Sequence, residues 1–82
     1  MDKLIWIALK EFDRVGSGSC ILGARSSERA AMELCMEHDP HHLHYTIESM
    51  EIDGDGCHST HGYADGTLQT TLMKMKWRER HA

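Results

Sequence analysis

The sequence predicts an α+β domain in the order ββαββ, with one helix packed on one face of a four-stranded antiparallel sheet. Three observations lead there. Apolar residues recur at strand spacing in four segments, one amphipathic stripe sits between two pairs of them, and the chain is 82 residues long. That length makes residues 1–82 a single domain with one core. With 40% hydrophobic and 27% charged residues, the composition is that of an ordered globular chain.

The first strand is expected at about residues 3–13, where Leu4-Ile5-Trp6-Ile7-Ala8-Leu9 is followed by charges. Val15-Gly16-Ser17-Gly18-Ser19 reads as a turn, because its glycines readily adopt positive φ. A short second strand follows at about 20–25, so the two form a hairpin.

A helix is expected at about 27–38. Ser26 or Ser27 can cap it and Glu28 lies in its first turn. Ala31, Leu34, Cys35 and His38 form one stripe, and Arg29, Glu33 and Glu37 form another facing outward. Asp39-Pro40 stops it, since the residue before proline is pushed out of the α region.

The third strand is expected at about 42–53, with Leu43, Tyr45 and Ile47 on one parity and Met50 and Ile52 on the other. That slip suggests a bulge near Glu48-Ser49. Residues 53–66, with four glycines and three aspartates, read as a loop. The fourth strand is expected at about 70–79. There Thr71, Met73, Met75 and Trp77 alternate with Leu72, Lys74, Lys76 and Arg78, although Leu68, Leu72 and Met75 would also suit a helix.

This layout leaves a packing problem. The first strand is apolar on both parities, with Ile5, Ile7 and Leu9 on one and Leu4, Trp6, Ala8 and Phe12 on the other, yet one helix covers one face. Either the long loop and the tail fold over the second face, or a second copy or a different protein covers it. A homodimer is the expectation, through a patch centred on Trp6, Trp77 or Met75.

Charge and chemistry narrow the function. With 9 basic and 13 acidic residues, the net charge of −4 does not suit a domain that binds nucleic acid with its whole surface. The longest uncharged apolar run is Leu4–Leu9, far short of the roughly 20 residues that cross a membrane. No small-residue cleavage site follows it, which argues against a signal peptide. The odd number of cysteines (Cys20, Cys35 and Cys57) suits reduced thiols in a cytoplasm.

Cys35 and His38 at one end, with Cys57 and His61 at the other, have the pair-gap-pair arrangement of a structural zinc site. Their spacing fits no standard finger, and no metal is expected. Cys57, His58, Ser59 and His61 crowd nucleophiles and bases into a Gly-rich loop, without the rigid framework a catalytic site needs. An enzyme is not expected. Lys74, Lys76, Arg78 and Arg80 around Trp77 could track a nucleic-acid backbone. Acidic rows at Glu33 and Glu37, and at Glu48, Glu51, Asp53 and Asp55, could instead dock on a protein's nucleic-acid groove.

The order of strand Leu4–Phe12, Gly-rich turn, short strand, Ser26-Ser27-x-x-Ala30-Ala31 helix start, strand Tyr45–Ile52, loop and a final strand ending in Lys76-Trp77 resembles small phage-encoded accessory proteins. It is similar in particular to anti-CRISPR proteins of type I systems, which pack one helix on an antiparallel sheet. The likeness covers most of the chain at the level of architecture, and the His-rich segment departs from it. It implies a non-enzymatic inhibitor in the host cytoplasm that binds a bacterial CRISPR effector complex and blocks its use of target DNA. Glu33, Glu37, Glu48, Glu51, Asp53, Asp55, Trp6 and Trp77 are the partner-binding candidates read from the residues. The alternative is a zinc-stabilised module that binds nucleic acid through Lys74, Lys76, Arg78 and Arg80.

Overall fold

In the computed structural model, which describes residues 3–12 and 18–82, the chain runs β1 (Leu4–Glu11), β2 (Ser19–Arg25), α1 (Glu28–His38), β3 (Tyr45–Glu51), β4 (Ser59–Tyr63), α2 (Thr67–His81). The four strands form one antiparallel sheet in the order β2-β1-β3-β4. The α+β class, the antiparallel sheet and the helix between the second and third strands agree with the sequence reading. Asp13 and residues 15–17 of the expected turn lie outside the described residues.

Two elements differ from expectation. The fourth strand is Ser59–Tyr63, inside the segment expected as loop, and residues 70–79 belong to a helix. Residues 59–63 contain one large apolar side chain, Tyr63, which is why no strand pattern stands out there. In α2, Leu68, Leu72 and Met75 at i, i+4, i+7 pack on the core, and this stripe outweighs the two-residue alternation. Lys, Arg, Gln, Leu and Met also favour helix over strand. Gly66 permits the turn before α2: it adopts φ 79°, and its N–H donates to the Leu43 carbonyl at 3.1 Å.

The expected bulge at Glu48-Ser49 is also absent. β3 keeps register with β1 from Leu4↔Glu51 to Lys10↔Tyr45, and the irregularity lies between Ala8 and Leu9 against β2. Leu22 and Gly23 together oppose Ala8 there. Such a bulge sets both on the same face: Leu22 packs on the core, and a Cβ on Gly23 would stand 3.0 Å from Leu34 of α1.

Both helices lie on one side of the sheet. Ala8, Tyr45, Ile47 and Tyr63 from the strands, Ala31, Met32 and Cys35 from α1, and Leu68 and Leu72 from α2 make the core. Ser27 caps α1 by accepting from the Ala30 N–H at 3.2 Å. Its far end is held by Tyr45, whose hydroxyl donates to the Asp39 carbonyl at 2.7 Å with the Cys35 carbonyl 3.1 Å away. The molecule is 17 Å thin in its shortest dimension, the depth of one sheet and one layer of helices.

Candidate partner-binding surface

Side by side on the sheet, α1 and α2 are clasped at their surface by charge. Arg29 of α1 bonds Glu33 at 2.8 Å and reaches Glu79 of α2, while Lys76 lies 4.0 Å from Glu33. These exposed pairs each contribute at most about 1 kcal/mol, and their main effect is to fix the spacing of the two helices. Gln69 of α2 donates to the Pro40 and His42 carbonyls at 3.2 and 3.3 Å, so the segment after α1 is tied to the same helix.

Between the helices runs a groove of about 430 Å³ lined by Glu33, Met36, Glu37, Pro40, Gln69, Leu72, Met73 and Lys76. Its floor is apolar and its rims carry both charges. Along the outer side of α2 the apolar surface continues: Met73 is 69% exposed and Trp77 55% exposed, bounding a second shallow hollow with Thr70 and Lys74. Trp77 stacks on His81 with ring centroids 4.0 Å apart, which limits the freedom of the indole before any partner arrives.

Of the expected partner-binding residues, the structure brings Glu33, Glu37 and Trp77 to this one surface. Trp6 instead packs against the helix-side core, so it is not an exposed anchor, and Met75 packs there too. The expected acidic row on the third strand is not a row. Glu48 pairs opposite Ile7 and Glu51 opposite Leu4, positions of opposite parity, so the two carboxylates point to opposite faces of the sheet. Asp53 and Asp55 follow in the exposed segment after β3. Missed in the sequence were Met36, Pro40, Gln69, Leu72 and Met73. The signal that finds those on α2 is the helical stripe Leu68-Leu72-Met75, which turns Met73 and Trp77, four residues apart, outward together.

The basic row changes as well. A strand would align Lys74, Lys76 and Arg78, but residues two apart on a helix lie roughly 200° apart. Lys74 and Arg78 therefore share one side, while Lys76 and Arg80 share the other. Among the described residues, Lys74, Arg78 and Arg80 have no carboxylate within ion-pair distance.

The four zinc candidates are not assembled into a site. Cys35 is buried beneath α1 and His38 is exposed at its end. Cys57 is exposed, with its Sγ 3.0 Å from both the Ser59 carbonyl and the Thr60 hydroxyl, and His61 lies on β4 against the Tyr63 ring. Among the described residues, no group of three or more His, Cys, Asp or Glu side chains is arranged to hold a metal ion. Nor is any helix of the described residues long and apolar enough to cross a membrane.

The thiols differ in exposure: Cys35 is buried, and Cys20 and Cys57 are exposed. Burial pushes the Cys35 thiol up to about 12, so almost no thiolate forms near neutral pH. An aromatic disulfide reagent at pH 8 is expected to titrate Cys20 and Cys57 rapidly, with Cys35 reacting only after denaturant is added. Three fast thiols in the native protein would contradict this packing of α1.

Neither a protein-family profile, nor a curated protein, nor a solved structure matches this chain.

Proposed function

We propose that this protein is a non-enzymatic binding protein that inhibits a bacterial defence complex, a CRISPR effector of the type I class, by docking through the α1/α2 surface. The observation that carries the binding reading is the pair Met73 and Trp77, exposed on α2 beside the groove. An exposed tryptophan next to an apolar groove with charged rims has the anatomy of an interface core and rim. The mixed rim of Glu33, Glu37 and Lys76 suits a target that offers both charges. The identity of the target rests on the architectural resemblance to anti-CRISPR proteins.

Nucleic acid is the weaker reading. The cations of α2 divide between two sides of the helix, and the chain as a whole carries a charge of −4.

The test is a plaque assay on a bacterium whose type I CRISPR immunity blocks a targeted phage. Expression of the protein is expected to restore plaques, and Trp77→Ala with Met73→Ala is expected to reduce that rescue by at least about tenfold. Both side chains are exposed, so the variants should keep their fold, which circular dichroism checks. No rescue by the wild type in sensitive hosts would reject the inhibitor reading. Rescue by the double variant at full strength would reject this surface.

A further inference from the structure

The other face of the sheet carries no helix. Because Trp6, Ala8, Tyr45 and Ile47 point to the helices, the alternate residues point away: Ile5, Ile7 and Leu9 on β1, Ile21 and Ala24 on β2, and Met50 on β3. Gly56 and Cys57 lean over one end of this face, enclosing a hollow of about 220 Å³ with Ile7, Glu48 and Met50. They do not reach Ile21, which is 68% exposed. Ile5, Ile7 and Leu9 remain only half-buried.

We propose that this open face is the seat of a second copy of the chain, forming a two-fold dimer with its two sheets face to face and its helices outside. Two features of the face favour a copy over a foreign protein. The first is charge. A two-fold contact sets each group near its own counterpart, which apolar residues tolerate and like charges do not. The row Ile5-Ile7-Leu9 is uncharged, and an axis parallel to β1 would set each Glu48, one strand away on β3, over the partner's β2 and not against the other Glu48. Glu11 shares the face but is buried, with its carboxylate accepting from the Thr46 hydroxyl at 2.6 Å. The α1/α2 groove, by contrast, carries Glu33 and Glu37 close together on one wall, which two copies would oppose.

The second feature is size. Four strands at about 4.8 Å spacing and seven residues at about 3.3 Å rise make a footprint of roughly 20 by 23 Å. Side-chain corrugation brings two such faces to roughly 1,200 Å² in total, the lower end of stable interfaces. The bulge in β2 contributes here too: by setting Leu22 and Gly23 together on the helix side, it keeps Ile21 on the open face, level with Leu9.

Light scattering after gel filtration, at high micromolar concentration, tests the proposal. The wild type is expected at twice the chain mass of 9.3 kDa. Ile21→Glu is expected to raise the dissociation constant by about 100-fold or more, leaving a monomer. Ile21 touches the core so little that this variant should keep its far-ultraviolet circular dichroism. Trp77→Ala, on the opposite side, should remain dimeric. A monomeric wild type overturns the proposal, as does a dimer that survives Ile21→Glu or is broken by Trp77→Ala. None of these outcomes depends on the identity of the foreign target.

Discussion

Tyr45→Ala is expected to bring the protein to the edge of unfolding. Tyr45 is the largest fully buried side chain in the core, and truncating such an aromatic costs about 3–5 kcal/mol. A chain of this length has a total stability on the order of 4–12 kcal/mol, so the loss is a large share of the whole. Tyr45→Phe separates the ring from its hydroxyl. It keeps the packing but leaves the Asp39 carbonyl without its donor, while the Cys35 carbonyl keeps the Asp39 N–H, at a cost of about 1–2 kcal/mol.

The same hydroxyl makes stability depend on alkaline pH. Burial above all, with Cys35 and Asp39 nearby, pushes the Tyr45 phenol up to about 12. A group whose pKa is higher in the folded than in the unfolded chain holds its proton better when folded. Its contribution is therefore complete below about pH 10 and declines as pH rises from there toward 12. Tyr45→Phe should make the decline shallower, leaving the part that the raised Cys35 and Tyr63 contribute. Urea unfolding at neutral and alkaline pH measures both effects. A phenylalanine variant as damaged as the alanine one, or a wild type whose stability rises above pH 10, would contradict the placement of Tyr45.

Leu68→Ala is the second large effect, expected at about 2–5 kcal/mol. α2 joins the core through Leu68, fully buried, and Leu72, 4% exposed, with Met75 packed alongside. The wider pattern distinguishes helix from strand more sharply than any single value. On a strand, Met73 and Met75 would share a face and respond alike to alanine. On this helix Met75→Ala should be costly and Met73→Ala within about 0.5 kcal/mol of the wild type, as for an exposed residue. Equal losses at Met73 and Met75 would contradict the helix. Denaturant midpoints at constant slope give the comparison.

The bounds of α1 were legible in the sequence, because each of their signals acts within a few residues, whereas its buried face holds Met32 in place of the expected His38, which is exposed. Ser27 caps its start, Ala31 and Cys35 point inward, and the chain leaves the helix at Asp39-Pro40. β1 was equally legible from its apolar run, and β3 from Tyr45 and Ile47. The failures fall where a local pattern supported two answers. Residues 70–79 satisfy a two-residue and a four-residue period together, and Leu68, just outside that window, decides between them by filling the core next to α1. Ser59–Tyr63 becomes a strand because β3 offers an open edge, with Tyr45 opposite Tyr63 and Ser49 opposite Ser59; its own residues carry little strand preference.

The candidate surface was legible in kind but not in place. Glu33, Glu37 and Trp77 were visible as candidates, but their meeting beside one groove depends on α2 lying next to α1. Trp6 was misassigned because both parities of β1 are apolar, and which of them meets the helices is settled by the register with β2 and β3. The sequence by itself determined the elements whose signals are local: the strands β1 to β3, the helix α1 with its cap and stop, and an apolar surplus that one helix cannot cover. Only the tertiary structure decided the identity of the last two elements, the face to which each tryptophan turns and the sheet face left open. Those outcomes depend on side chains far apart in sequence competing for one small core, and no local period records that competition.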